Sequence, residues 1–417
     1  MKRREFIPGL SAIVMGSLVA ANVNAENYKH ISHLDSPYGD DDFWAWIRSQ
    51  FRTGDLINLN NGGVSPHPIP VEEAFFNYHR ICNEVPTYNM WRVLEKNRQI
   101  VREKLAVLAG CESEEIAINR NATEALVTII MNLPLEKGDE VVLSNYDYPR
   151  MMNAWKVREE RDGIVLNWIN PEVDNPDKET LIKRYTSQFT KRTKAVMITH
   201  MINWTGRMVP AKEIIAEARK NGIISIVDAA HSFAHLPFSV SDLNCDYLGA
   251  SLHKWLAAPF GNGLLYVKKE NIRNLPPFFP IEKDLENNIK KFEELGTRNN
   301  AAEFTISEAV DFHNLIGTER KYKRLLELRN YWIDKVKQHP KINIRTPLTE
   351  GESGAIALVE IEGKTGIEID LHLFEHYKIH CVAIQHQEVD GVRITPNVYT
   401  SFADLDYLVK GLLELAG

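Results

Sequence analysis

Cysteine is scarce in this chain, with four residues in 417, at Cys82, Cys111, Cys245 and Cys381. They lie far apart and form no C-x-x-C pair and no metal-ligand spacing, which excludes a zinc module and leaves no metal site to expect, while a disulfide in an oxidising compartment stays open. Cys245 and Cys381 fall in apolar runs and are expected to be buried, and nothing in the spacing pairs any two of the four. Long runs of one charge are also missing. Lysine and arginine total 49 against 56 aspartate and glutamate, for a net charge of −7, and no extended basic stretch occurs. A nucleic-acid partner is therefore not expected. No internal repeat and no low-complexity segment interrupts an ordinary globular composition. No G-x-G-x-x-G follows a strand, so a nicotinamide-dependent oxidoreductase lacks its phosphate loop.

Long apolar runs are absent as well, and the one near the start is short for a membrane span. The first residues read MKRREFIPGLSAIVMGSLVAANVNA. Basic Lys2, Arg3 and Arg4 precede an apolar run from Ile7 to Ala21, broken by Pro8, Gly9 and Gly16, and Val23-Asn24-Ala25 ends it with small residues. That is the three-part pattern of an export signal, against the alternative of an uncleaved amphipathic anchor. Arg3-Arg4 followed by Glu5, Phe6 and Ile7 resembles a twin-arginine signal, although Lys2 stands where serine or threonine is frequent. The expectation is removal of residues 1–25 and delivery to the periplasm by the twin-arginine export machinery, a route that carries folded proteins.

What the chain does have is alternation. Residues 92–109 carry apolar positions at helical spacing and stop at Gly110. Glu140–Ser144, Ala195–Thr199 and Ile223–Val227 read as buried strands, with a helix over Pro210–Lys220 between the last two. This pattern predicts an α/β protein with a mainly parallel sheet covered on both faces, and it directs attention to the carboxyl ends of the strands. The proline-rich stretch Leu275–Pro280 marks a boundary. Beyond it a long helix around Ala302–Gln338 and short strands such as Ala355–Ile361 suggest a smaller α+β domain. The division expected is an arm at 26–60 packing on the smaller domain, a large domain at 61–275 and a small one at 276–417.

Two strand ends carry the chemistry. The run Ile223–Val227 ends in Asp228-Ala229-Ala230-His231, and Cys245–Ala250 leads into Ser251-Leu252-His253-Lys254-Trp255. A carboxylate at the end of a buried strand is costly unless paired. One chemistry uses an acid and an amine in these places: pyridoxal phosphate (PLP) forms a Schiff base with a lysine and needs a carboxylate at its ring nitrogen. Upstream, Asn121-Ala122-Thr123-Glu124-Ala125 opens a helix after the strand-like Ile116–Ile118, and a helix start binds phosphate.

Together with NLNNGGVSPHP, NYDYPRM, HMINWTG, LGTRN and GVRITPNVYT, these segments resemble the class V aminotransferase family over residues 56–417, and within it the isopenicillin N epimerase-like branch. The resemblance implies the aspartate-aminotransferase-like fold (PLP fold type I). It implies that Lys254 holds PLP, that Asp228 pairs with the ring nitrogen and that His231 supports the ring. Tyr148 is implied to stack on the ring, with Tyr146 as the alternative. Asn203 is implied at the phenolic oxygen, and Ala122, Thr123, Ser251 and His253 at the phosphate. Arg393 would grip a substrate carboxylate, with Asn61 and Gly62 lining that side. Thr297 of LGTRN would reach a partner's phosphate in a homodimer. Cysteine desulfurases of the family carry a nucleophilic cysteine between a strand, here Tyr377–Ala383, and Arg393; this chain has IQHQEVDG there, which disfavours that activity. The expected substrate is an amino acid, or a peptide or natural product containing one. Epimerisation, transamination and elimination stay open at this point, as does a protein that binds PLP or another ligand without catalysis. Tyr148 is the candidate for a second acid.

Overall fold

The computed structural model describes residues 40–172, 176–386 and 388–417. The expected signal segment at 1–25 and the first residues of the expected arm lie outside them. The chain divides into a unit ending at Ser49 and a unit from Gln50 to Gly417. In the first, Asp40–Ser49 is helical, and its three leading aspartates suit the positive end of a helix dipole.

The strands of the second unit, in chain order, are β1 (Ile57–Asn58), β2 (Ile116–Asn119), β3 (Glu140–Ser144), β4 (Val165–Ile169), β5 (Thr193–Thr199), β6 (Ile224–Asp228), β7 (Tyr247–Ser251), β8 (Gly263–Val267), β9 (Ile342–Ile344), β10 (Ala357–Ile361), β11 (Ile379–His380), β12 (Val382–His386) and β13 (Val389–Ile394). Seven of them form one sheet in the order β2-β8-β7-β6-β5-β3-β4. Within it β8 alone runs against its neighbours; every other pairing is parallel. Every residue of β2, β3, β7 and β8 is buried, as expected where helices cover both faces. The helix Ala122–Asn132 lays Ala125, Leu126, Ile129 and Ile130 into a core with Leu143, Trp155, Met197, Ile226 and Leu265. Each such buried aliphatic side chain contributes roughly 1.5–3 kcal/mol. The start of that helix comes so close to β8 that a Cβ on Gly263 would sit 2.5 Å from the backbone of Asn121. Glycine is the residue that fits there.

The antiparallel sheet β12-β13-β10-β9 forms the second core, with Leu328, Trp332, Leu373 and Leu408 packed on it. The two sheets fall on either side of Leu275–Pro280. β1 pairs in parallel with β11, and Leu59 continues that seam to Thr395 by a 2.7 Å backbone bond.

Two expectations need correction. The long helix over 302–338 is three: Asn300–Phe304, Ile306–Ile316 and Thr318–Val336, separated at Thr305 and at Gly317, whose φ of +83° breaks the helix. The strand expected over Tyr377–Ala383 is also divided. Tyr377 ends the helix Gly366–Tyr377, Lys378 turns the chain with φ +56°, and Cys381 lies between β11 and β12, which belong to different sheets. β12 and β13 pair antiparallel from Val382–Arg393 to His386–Val389.

Candidate active site

Parallel strands bring their carboxyl ends to one edge of a sheet. Here that edge collects Tyr148 after β3, Asn203 after β5, Asp228 at the end of β6 and Lys254 three residues beyond β7.

Lys254 Nζ lies 3.0 Å from His231 Nε2. The indole N–H of Trp255 reaches His231 Nδ1 at 3.5 Å. Burial holds His231 well below its usual range, with the Lys254 and Arg393 charges adding to the effect, so this ring is neutral. Burial also brings the Lys254 amine down to about 8; the Asp228 charge opposes the shift and Arg393 reinforces it. Asp228, 5% exposed, is raised by burial and partly compensated by a 2.9 Å bond from the Ala230 N–H and by Lys254. The arrangement is a lysine whose amine is lowered by burial, a neutral histidine within hydrogen-bond distance of it, and a buried carboxylate on the adjacent strand.

Arg393, on β13, enters from the second sheet. Its Nη1 donates to the Asn203 carbonyl at 3.0 Å and its Nη2 to Asn60 Oδ1 at 2.8 Å. Burial lowers it to about 10, and it lies close enough to Tyr148 for their charges to interact. Gly62 is the joint: a Cβ added there would meet Thr395 Cγ2 at 3.0 Å and both Arg393 Cζ and His231 Cε1 at 3.5 Å. Two buried polar atoms in this region, Arg393 Nε and Asn203 Oδ1, have no hydrogen-bond partner among the described residues. Buried polar atoms are ordinarily satisfied, so this pair points to a bound molecule.

Asn61 departs from the expected placement. It is fully buried, its amide donates to the Asn58 and Thr395 carbonyls, and its oxygen accepts from Tyr399. It is scaffold behind Gly62. Asn60, one residue earlier in the same NLNN run, is the one that reaches Arg393; the cue was present, and the register was off by one. Tyr146 is likewise fully buried, in edge contact with Trp204 and His386 and donating to Glu388 at 2.7 Å. Tyr148 is 41% exposed at the start of the helix Pro149–Asp162.

The helix start after β2 is capped by Asn121, whose side chain accepts from the Glu124 N–H at 2.8 Å. The Ala122 N–H donates to Ser251 Oγ at 3.0 Å, and Thr123 follows in the first turn. His253 bonds the Asn262 carbonyl through Nδ1 at 3.1 Å and is held down to about 4, chiefly by burial. Thr297 stands exposed after Gly296, in a segment held by an ion pair of Arg298 with Glu303 at 2.7 Å.

Of the thiols, Cys381 lies near enough to Arg393 for their charges to interact. Cys82, Cys245 and Cys381 are buried, and burial raises all four; Cys111 is pushed to about 12. Cys381 donates to Asp370 Oδ1 at 3.1 Å. Among the described residues no group of three or more His, Cys, Asp or Glu side chains is placed to hold a metal ion.

A mainly parallel α/β sheet with a lysine, an aspartate and a helix start at its carboxyl edge defines the PLP-dependent class of fold type I. Residues 57–408 match the aminotransferase class-V family, and the chain belongs to it. It is 26% identical to isopenicillin N epimerase of Streptomyces clavuligerus over 380 residues, spanning 87% of this chain and 95% of that one. It is 27% identical to a probable cysteine desulfurase of a Synechocystis strain, over 74% of this chain and 76% of the relative. Its fold is similar to that of a C-DES variant with glycine covalently linked to its PLP cofactor, with a TM-score of 0.77, 20% identity, and coverage of 88% of this chain and 98% of the other. The cofactor of the family is PLP, and the residues here fit it. The lysine amine is brought down to about 8, the carboxylate beside it is buried, and Asn203 Oδ1 has no partner among the described residues.

Proposed function

We propose that this chain is a PLP enzyme acting at the α carbon of an amino acid, or of a peptide or natural product that contains one, by epimerase or aminotransferase chemistry. The observation that carries this reading is Lys254, its amine brought to about 8 and 3.0 Å from His231, with buried Asp228 next to it. When bound, PLP supplies an electron sink for the α carbon. Lys254 would hold the cofactor and then take and return the α proton on its own face. Asp228 would keep the ring nitrogen protonated. Ala122, Thr123, Ser251 and His253 would hold the phosphate, with Asn203 at the phenolic oxygen. Arg393, fixed by Asn60 and Asn203, would take the substrate carboxylate in a bidentate grip beside Gly62. Tyr148 would be the second proton donor that separates epimerisation from transamination.

Desulfurase relatives span up to 86% of the chain against 87–89% for the epimerase relatives, so coverage does not separate the two. What favours α-carbon proton chemistry over sulfur transfer is that burial raises every thiol, so none is poised as a thiolate. The purified protein is expected to be yellow, and borohydride should fix PLP to the peptide containing Lys254; fixation to another lysine ends the assignment. Incubation with a panel of D- and L-amino acids should give the opposite enantiomer or a keto acid. Formation of alanine from L-cysteine, with the sulfur released as sulfide when a thiol reductant is added, would move the chain to the desulfurases.

We also propose export by the twin-arginine route, on the strength of Arg3-Arg4 and the apolar run behind them. A PLP protein must load its cofactor while folding, which suits a route that carries folded cargo. Replacing Arg3 and Arg4 by lysine should leave the uncleaved chain in the cytoplasm, and undisturbed export of that variant would rule the route out.

A further inference from the structure

Behind Lys254 lies a second buried lysine, with no anion paired to it among the described residues. Lys321, on the helix Thr318–Val336, is 4% exposed. Its amine donates to the backbone carbonyl of Trp255, the residue after Lys254. Its other neighbour is His313 Nδ1 at 3.4 Å, and His313 Nε2 in turn lies 2.9 Å from Thr318 Oγ1. No carboxylate pairs with Lys321 among the described residues. A buried ammonium without a counter-ion is costly, and apolar replacements of buried charges are often neutral or stabilising. Stability therefore does not explain its presence.

The contacts of Trp255 supply another explanation. Trp255 is fully buried and held on three sides. Its indole N–H reaches His231, its ring stacks on His235 with centroids 3.8 Å apart, and its carbonyl is taken by Lys321. His235 accepts from the Ala355 N–H at 3.0 Å through Nε2, so its Nδ1–H donates to the His231 carbonyl at 3.0 Å. Lys254 is thus gripped through its own side chain by His231 and through its peptide by Trp255. Lys321 closes the second path. The loop needs such a grip, because Ala257, three residues on, is held at φ +56°, a conformation that costs a non-glycine residue energy.

We propose that Lys321 is a positioning residue: its bond to the Trp255 carbonyl fixes the loop that carries Lys254 and so sets the effective concentration of the Lys254 amine at the cofactor. The proposal rests on Lys254 being the lysine that binds PLP.

That effective concentration can be read without knowing the substrate. In the yellow holoprotein, methylamine competes with Lys254. Its nitrogen replaces the lysine nitrogen at the cofactor's carbonyl carbon, and Lys254 leaves as the free amine. Borohydride then fixes to Lys254 only the undisplaced fraction. The methylamine concentration giving half-displacement reports how well Lys254 is held. In Lys321→Met that concentration should fall about 10–100-fold, the scale of a small misplacement of a reacting group. In Lys321→Gln, which can still donate to the Trp255 carbonyl, it should stay within about threefold of the parent, because the retained bond preserves the alignment. Urea midpoints should show Lys321→Met no less stable than Lys321→Gln. The proposal is overturned if Lys321→Met requires as much methylamine as the parent. It is equally overturned if Lys321→Gln falls with it, or if displacement follows the urea midpoint across the two variants. Failure of borohydride to label Lys254 in the parent protein would instead remove the assignment of Lys254 itself.

Discussion

Lys254→Ala is expected to lower turnover of whichever amino acid the parent converts by about 10²–10⁴-fold, the usual contribution of a positioned proton-transfer group. PLP should remain partly bound through the helix start at Ala122, but borohydride should no longer fix it to the chain. The loss arises from one atom: no other amine is paired with His231 Nε2, and the adjacent Asp228 cannot replace it because it is buried and engaged by the Ala230 N–H. Retention of more than about a tenth of the parent turnover would be incompatible with Lys254 as the base. The same variant tests a homodimer, which we propose because Thr297 is exposed on a pinned segment and two-fold dimers are the commonest assembly. If Thr297 serves a partner's phosphate, mixing Lys254→Ala chains with Thr297→Ala chains should restore activity, since one site of each mixed dimer is intact. No recovery after subunit exchange has been verified by labelled chains would refute the shared site.

Much of this site was legible because strand chemistry and site chemistry share a signal. An apolar run that ends in Asp228, or leads within three residues into Lys254, is both a buried strand and an edge, so sequence order alone placed both groups. The helix start at Ala122 was readable for the same reason, through its Asn121 cap. Contributions from across the fold were harder to see. Asn60 holds Arg393 across 333 residues of sequence, and no local pattern distinguishes it from Asn61. Whether each asparagine faces the site or the scaffold depends on how the seam from β1 to Thr395 settles. Lys321 reads as one of several charged residues on an amphipathic helix until packing buries it against Trp255. The misread of 302–338 as one helix has a similar cause, since continuous helical periodicity conceals the interruption that Gly317 imposes with its positive φ.

The largest stability effect should come from the free edge of the main sheet. β2 pairs with β8 on one side only, so its other edge would present open backbone groups. Three charged side chains cover it. Arg102 Nε donates to the Ile116 carbonyl at 3.0 Å, Glu293 Oε1 accepts from the Ile118 N–H at 2.8 Å, and Arg298 Nη1 donates to the Ile118 carbonyl at 3.2 Å. Arg102 Nη2 also contacts both Glu293 carboxylate oxygens, at 2.8 and 2.7 Å, with side chains 2% and 5% exposed. Such a pair need add little net stability when intact, but removing one member leaves the other charge buried and a backbone donor unmet. Glu293→Ala is therefore expected to cost about 3–5 kcal/mol in urea unfolding. Glu293→Gln, which keeps an acceptor for the Ile118 N–H, should lose less. Because β2 runs into Asn121 and Ala122, and because Arg298 follows Thr297, the alanine variant should also bind PLP more weakly. A Glu293→Ala protein with the parent's urea midpoint would mean that water, and not this ion pair, satisfies the edge of β2.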